Sequence, residues 1–121
     1  MNILLWIGQC FLAATFLYSG ICKSVFSEKE LVAKGQTGVE NLPILLIRFI
    51  GAMEIAGAFG ITLPWLLNVL PVLTPISSLG FALIMVPAAI IHYKRGEYRN
   101  VLTNLVIFTV AVLIAFGRIT Y

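Results

Sequence analysis

The stretch Arg48–Gly60, RFIGAMEIAGAFG, sets one acidic residue, Glu54, in a run that is otherwise apolar after its first arginine. This run belongs to an apolar segment over residues 44–63, and roughly 20 such residues in a helix cross the hydrocarbon core of a bilayer. An ionisable side chain at mid-depth is costly in lipid or in packed protein unless it has a partner or takes up a proton. The stretch therefore predicts a transmembrane helix whose acid is enclosed by neighbouring helices.

The composition of the whole chain indicates the same environment. Of its 121 residues, 60% are hydrophobic and 11% are charged, and the mean hydropathy is +1.03. A soluble domain carries about 25% charged residues, and a soluble domain of this size could not bury so much apolar surface in its core. We therefore predict a single membrane domain over residues 1–121, with the lipid bilayer as its solvent.

Three further segments are long and apolar enough to cross a membrane. The four predicted spans have the approximate bounds 2–22, 44–63, 73–93 and 101–117. Ser27 and Glu30 have the spacing of a capping box, which predicts a short interfacial helix over residues 28–34 between the first two spans. Short connections favour antiparallel neighbours, so the predicted fold is an all-α, up-down antiparallel four-helix bundle in the membrane.

The basic residues near the span ends predict the orientation of the bundle. The first and third connections share one side of the membrane and carry Lys23, Lys29, Lys34, Lys94, Arg95 and Arg99. Because basic loops stay on the cytoplasmic side, both termini are expected on the non-cytoplasmic side of a bacterial inner (plasma) membrane. The net charge of +3 then reflects topology and anionic lipid, and it gives no reason to expect nucleic acid as a partner.

The surroundings of Glu54 can be predicted from helical periodicity. At about 100 degrees per residue, one face of the second span carries Ile47, Gly51, Glu54, Ala58 and Ile61. Small residues beside the acid let a neighbouring helix approach closely, so Glu54 is expected to point into the bundle. Two interpretations remain open: a proton-linked or ligand-binding acid, or a protonated or hydrogen-bonded side chain that fixes helix packing.

Gln9 in the first span is a candidate partner for Glu54. It lies on the same helical stripe as Phe16, Ser19, Gly20 and Lys23. If the first two spans run antiparallel, Gln9 and Glu54 differ in height by roughly 5 Å or less, as estimated from the rise per residue. We expect either a hydrogen bond between the two side chains or an amide that ties two helices together.

Four more polar residues lie at a similar depth near the basic end of the spans. Lys23 ends the first span, Arg48 begins the second, His92 ends the third and Asn104 lies in the first turn of the fourth. If they face inward, they form a mostly basic vestibule suited to an anionic headgroup or a quinone-like carbonyl. Alternatively, Arg48 extends to the lipid headgroups and His92 is an interfacial side chain. One histidine is too little for a metal site, so no metal is predicted.

Five short motifs occur in order along the chain. They are SGICK closing the first span, RFIGAMEIAGAFGITLP in the second, LTP and AAIIHYKRGE at the two ends of the third, and FGR near the end. Together they resemble the DoxX-like family of small four-helix membrane proteins. The resemblance implies a four-helix bundle whose recurring polar positions fall on Lys23, Arg48, Glu54, His92 and Arg118.

What this resemblance implies about function differs among relatives. Some relatives serve as the membrane subunit of a thiosulfate:quinone oxidoreductase or of another redox assembly, and more distant relatives resemble assembly factors or chaperones. The chain contains no cofactor motif and no nucleophile with a neighbouring base. No catalytic residue is therefore predicted, and the chain is not expected to be an enzyme on its own.

Three functions are compatible with these observations. In the first, the bundle holds a quinone-like or lipidic molecule, with quinone as the candidate cofactor, and works beside a soluble or membrane redox partner. In the second, the chain is a proton-coupled small-molecule transporter that uses Glu54. Small multidrug resistance proteins use a membrane acid in this way and work as dimers, so a homo-oligomer is a further possibility here. In the third, it is a non-catalytic scaffold or membrane-protein chaperone.

Overall fold

The computed structural model describes residues 1–120, which form helices and connections with no strand among them. The helices are α1 (Asn2–Val25), α2 (Glu28–Ala33), α3 (Ile44–Gly60), α4 (Leu63–Leu67), α5 (Leu73–Lys94) and α6 (Tyr98–Thr120), with a 3-10 turn at Thr37–Val39. Four segments are long and apolar enough to cross a membrane: α1, the continuous stretch Ile44–Leu67, α5 and α6. The predicted all-α bundle of four membrane helices is confirmed, whereas the orientation of its termini stays a prediction.

The short helix α2 owes its position to the residues at its two ends. The Ser27 hydroxyl accepts a hydrogen bond from the Glu30 amide (3.2 Å), and the Glu30 carboxylate accepts one from the Ser27 amide (3.4 Å). This capping box starts the helix. Gly35, with φ of 96°, follows its end in the left-handed conformation that glycine adopts at low cost.

The four long helices pack as two antiparallel pairs, α1 with α3 and α5 with α6. Contacts within each pair are more extensive than contacts between the pairs. The pairs meet in a core whose buried residues include Leu12, Phe16, Ile61, Phe81, Ala82, Ile107, Ala111 and Ile114. At its centre the rings of Phe16 and Phe81 stack with centroids 3.9 Å apart. Aromatic stacking of this kind adds to the stabilisation from burial.

Glycine residues set the close spacing of α1 and α3. A Cβ atom placed on Gly20 would lie 2.7 Å from the backbone oxygen of Gly51, and one placed on Gly51 would lie 2.9 Å from Cβ of Lys23. No side chain fits at either distance, so the two backbones approach as in other small-residue membrane interfaces. This close approach brings the polar residues of α1 and α3 within reach of each other.

Replacing Gly51 by alanine is therefore expected to destabilise the bundle. Overpacking of this kind costs about 1–3 kcal/mol, because the added methyl group must push α1 away from α3. Gly80→Ala is a matched control, since no atom lies within 4 Å of a Cβ at that position. Thermal unfolding in detergent checks the prediction, and equal midpoints for the two variants would contradict it.

Candidate functional site

A central cavity of about 550 Å³ lies between the two helix pairs, at the end of the bundle where the first and third connections meet. Most of its wall is apolar. The polar side chains on the wall include Ser19, Lys23, Gln36, Glu54, His92, Asn100 and Asn104. The structure thus brings four predicted residues together around one cavity: Lys23, Glu54, His92 and Asn104.

The carboxylate of Glu54 is paired with the ammonium group of Lys23. Lys23 Nζ lies 2.8 Å from Glu54 Oε1, and Glu54 is only 2% exposed. Lys23 Nζ also donates to the Ser19 hydroxyl (2.9 Å), which in turn lies 3.1 Å and 3.2 Å from the two carboxylate oxygens. The acid therefore has the partner that its depth in the membrane requires, and the pair is electrically balanced.

Sequence reasoning missed both partners of the acid. Ser19 and Lys23 are four residues apart on α1, so their side chains project from the same face. That spacing, together with a lone acid in the adjacent antiparallel span, is the sequence pattern from which this pairing could have been predicted. Lys23 was instead assigned to the end of its span as part of a basic vestibule.

The predicted hydrogen bond between Gln9 and Glu54 is wrong, and the alternative, an amide that ties helices together, is the one that the structure supports. Gln9 Nε2 donates to the backbone oxygen of Ile61 (2.7 Å), and its Oε1 accepts from Arg118 Nε (2.7 Å). The prediction set the ends of the first two spans level with each other, but α1 continues to Val25. The resulting register places Gln9 opposite Ile61, which is about two turns, or roughly 10 Å, beyond Glu54 along α3.

Arg48 does not line the cavity, so its predicted place in the vestibule is also wrong. Its Nη1 atom donates to the backbone oxygens of Lys23 (2.7 Å) and Phe26 (2.6 Å). These carbonyls lie in and just after the last turn of α1, where helix carbonyls lack partners within the helix. The guanidinium therefore satisfies the end of α1 and ties it to α3.

The opposite end of the bundle carries a second buried cation, Arg118. It is 4% exposed, and its Nη1 atom donates to Asn2 Oδ1 (2.7 Å) in addition to the bond with Gln9. Its guanidinium lies 4.5 Å from the ring centre of Trp65 and 5.5 Å from that of Trp6. Cation–π contacts and amide oxygens thus hold the cation, and Arg118 joins α1, α4 and α6. Apart from the family motif, no sequence pattern indicates this cluster.

Asn104 presents an unused hydrogen-bond donor. The residue is 8% exposed, and its buried Nδ2 atom has no hydrogen-bond partner within residues 1–120. A buried polar group without a partner costs about 1–3 kcal/mol. Asn104 is also one of the residues that line the central cavity.

His92 lies on the cavity wall and contacts the third connection. Its Nδ1 atom is 2.8 Å from Glu97 Oε1. An ionised carboxylate can only accept, so Nδ1 carries the proton and the Nε2 atom is left for other contacts. Within the described part of the chain, no three His, Cys, Asp or Glu side chains group together as metal ligands.

Glu97, in the third connection, is the hydrogen-bond acceptor for three side chains. Its Oε1 atom accepts from Thr37 Oγ1 (2.9 Å) and Arg95 Nε (3.2 Å) as well as from His92. The hydrogen bond from His92, and next that from Thr37, lower the pKa of Glu97 below its ordinary value of 4.5. A hydrogen bond to Glu40 (3.1 Å) raises the pKa of Arg95. The first and third connections are thereby joined through ionised groups.

Fold and site together define a multi-pass integral membrane protein with an apolar cavity and a balanced ion pair inside a four-helix bundle. The profile described as the DoxX-like family matches residues 7–114. The chain therefore belongs to the DoxX-like family. No curated protein and no solved structure shows significant similarity to it.

The ion pair between Lys23 and Glu54 is expected to show strong coupling in a double-mutant cycle. Lys23→Met or Glu54→Gln alone leaves one buried group without its partner, which costs about 3–5 kcal/mol where the charge stays buried. The double variant removes both charges and is expected to lose less than the sum of the single losses. Denaturant unfolding in detergent measures each free energy. Lys94→Met, at an exposed lysine, is the control, and strictly additive losses would contradict the coupling.

The lowered pKa of Glu97 predicts a dependence of stability on pH. Folding favours the ionised carboxylate, so its contribution is fully present above the ordinary pKa of 4.5 and is lost as pH falls through the lower folded value. Wild type is expected to melt above Glu97→Gln at pH 7, and the difference is expected to vanish under acid conditions. Melting followed by tryptophan fluorescence between pH 3 and 7 measures this. A constant difference over that range would show that the charge of Glu97 is not responsible.

Proposed function

We propose that the chain binds a small, largely apolar molecule with a hydrogen-bond acceptor, of the quinone-like or lipidic type, in the central cavity. The observation that carries the proposal is the buried amide donor of Asn104 beside a cavity of about 550 Å³. Cavities that bind small ligands commonly span roughly 300–1,000 Å³, with apolar walls and a few converging polar groups. The central cavity fits this description.

The polar groups on the wall favour an uncharged ligand that accepts hydrogen bonds. Asn104 Nδ2 is a buried donor without a partner within residues 1–120, and Lys23 Nζ donates to Ser19 and Glu54, which leaves one of its three protons unused. The two carboxylate oxygens of Glu54 already accept from these neighbours. Since Glu54 also neutralises Lys23, the site offers donors without a net charge, which suits a ring carbonyl or an ester carbonyl.

In this proposal the chain supplies binding and orientation, and a partner completes the activity. A bound quinone would contribute the redox chemistry, because the side chains on the wall include no redox-active cysteine pair. The protein's own residues would hold the carbonyl at Asn104 and Lys23 and keep the remainder of the molecule among apolar side chains. A soluble or membrane redox partner is then required to supply electrons.

The ion pair also supports a second candidate, proton-coupled transport. Glu54 lines the cavity and has one cationic partner, Lys23. Protonation of the acid would release Lys23 and change the polarity of the wall, which is the coupling that such a transporter needs. Dye efflux from proteoliposomes under an imposed pH gradient tests it, and efflux that Glu54→Gln abolishes would favour transport over simple binding.

The binding proposal predicts that Asn104→Leu retains less ligand than wild type. Leucine has nearly the shape of asparagine but no donor, and loss of one hydrogen bond lowers affinity roughly 3- to 10-fold. The molecule that co-purifies with each variant is measured by mass spectrometry, and binding of added short-chain ubiquinone is measured by isothermal titration calorimetry in detergent. Thr109→Val, on the exposed face of α6, is the control.

The outcomes separate binding from a scaffold role. Reduced retention in Asn104→Leu with unchanged melting supports a ligand site. Equal retention by both variants, and no binding of ubiquinone to wild type, would overturn the proposal. Reduced melting with no bound molecule in any variant would leave the scaffold or chaperone interpretation.

A further inference from the structure

A short segment of the first connection forms part of the wall of the central cavity. We call residues 36–40 the strap. It lies between Gly35 (φ 96°) and Asn41 (φ 69°), both in left-handed backbone conformations, so the chain turns sharply at each end. Gln36, Gly38 and Val39 of the strap line the cavity. The strap therefore lies between the cavity and the exposed side of the first and third connections.

Side chains from the third connection hold the strap in place. Thr37 Oγ1 donates to Glu97 Oε1 (2.9 Å), and Glu40 Oε1 accepts from Arg95 Nη1 (3.1 Å). Between these two contacts Gly38 faces the His92 ring, since a Cβ atom on Gly38 would lie 3.5 Å from Nε2. These contacts join the α1–α3 pair to the α5–α6 pair at the end where the cavity separates them.

The inner side of the strap has a single apolar anchor. Val39 is 4% exposed and packs in a small cluster with Cys22, Leu31 and Ile47. Apart from this anchor, the interactions that hold the strap are polar: the contacts to the third connection, a hydrogen bond from the Gln36 amide to the Leu31 backbone oxygen (2.9 Å) and a long contact between Ser19 Oγ and Gln36 Oε1 (3.5 Å). Local opening of such a segment requires the loss of a few side-chain hydrogen bonds and leaves the helices intact.

We propose that the strap is a gate that controls access from water to the central cavity, with Glu97 as the acceptor that keeps it closed. The gate rests on the proposed function in one respect only, the identity of the molecule that enters the cavity. Glu97 is suited to this role because the contacts from Thr37, His92 and Arg95 all end on its Oε1 atom. Removing the carboxylate charge weakens all of them at once.

A cysteine reporter inside the cavity tests the gate without any ligand. The reporter is Ala88→Cys, on the cavity wall, in a background with Cys10→Ser and Cys22→Ala. Proteoliposomes of phosphatidylcholine are exposed to a positively charged, membrane-impermeant methanethiosulfonate reagent, and the labelling rate of the reactive fraction is measured. N-ethylmaleimide, which crosses lipid, shows that the reporter thiol is reactive in every variant.

Weaker contacts to Glu97 are expected to speed labelling by the charged reagent. Glu97→Gln removes the charge that strengthens the contacts from Thr37, His92 and Arg95, whereas Thr37→Val removes one hydrogen bond, so the rate is expected to rise about tenfold for Glu97→Gln and less for Thr37→Val. Arg99→Gln, an exposed charge in the same region, is expected to leave the rate unchanged. Thr37→Val keeps the test decisive if Glu97→Gln does not fold.

The results separate the gate from the binding site. Equal labelling rates in wild type, Glu97→Gln and Thr37→Val, whether fast or slow, would overturn the gate. Retention of the co-purifying molecule, measured on the same preparations, reports on the proposed function. Unequal labelling with no retained molecule in wild type would support the gate and contradict the proposed ligand. Equal labelling with normal retention would support the ligand and contradict the gate.

Discussion

The buried ion pair between Lys23 and Glu54 is the interaction on which the rest of the site depends. Either charge alone in the apolar interior would cost several kcal/mol, so the two must meet across α1 and α3. They can meet because Gly20 and Gly51 let the two backbones approach. The pair in turn fixes the register of these helices and places a polar, electrically balanced wall beside the cavity.

The two ends of the bundle are held by different forces, and the cavity is the consequence. At the end that carries the chain termini, Arg118 ties α1, α4 and α6 together through amide oxygens and aromatic faces. At the other end the helix pairs stand apart, and the strap with its contacts to Glu97 fills the gap. A bundle packed equally closely at both ends would have no such cavity.

Local periodicity could be predicted from the sequence, but pairing between helices could not. The face of Ile47, Gly51, Glu54, Ala58 and Ile61 was identified correctly, and all five are buried, because burial on one helix depends only on residue spacing. The partners of the acid depend on how far α1 extends past α3. A shift of one to two turns is enough to exchange one polar partner for another, and it replaced Gln9 by Ser19 and Lys23.

The polar groups of the cavity differ in how completely they are satisfied, and that difference carries the functional argument. Glu54 and His92 have partners within the protein, so structure alone accounts for them. Asn104 has a buried donor without one, although a leucine of similar shape would avoid the desolvation cost. Packing within residues 1–120 therefore accounts for the ion pair and for His92 but leaves the Asn104 amide without a partner.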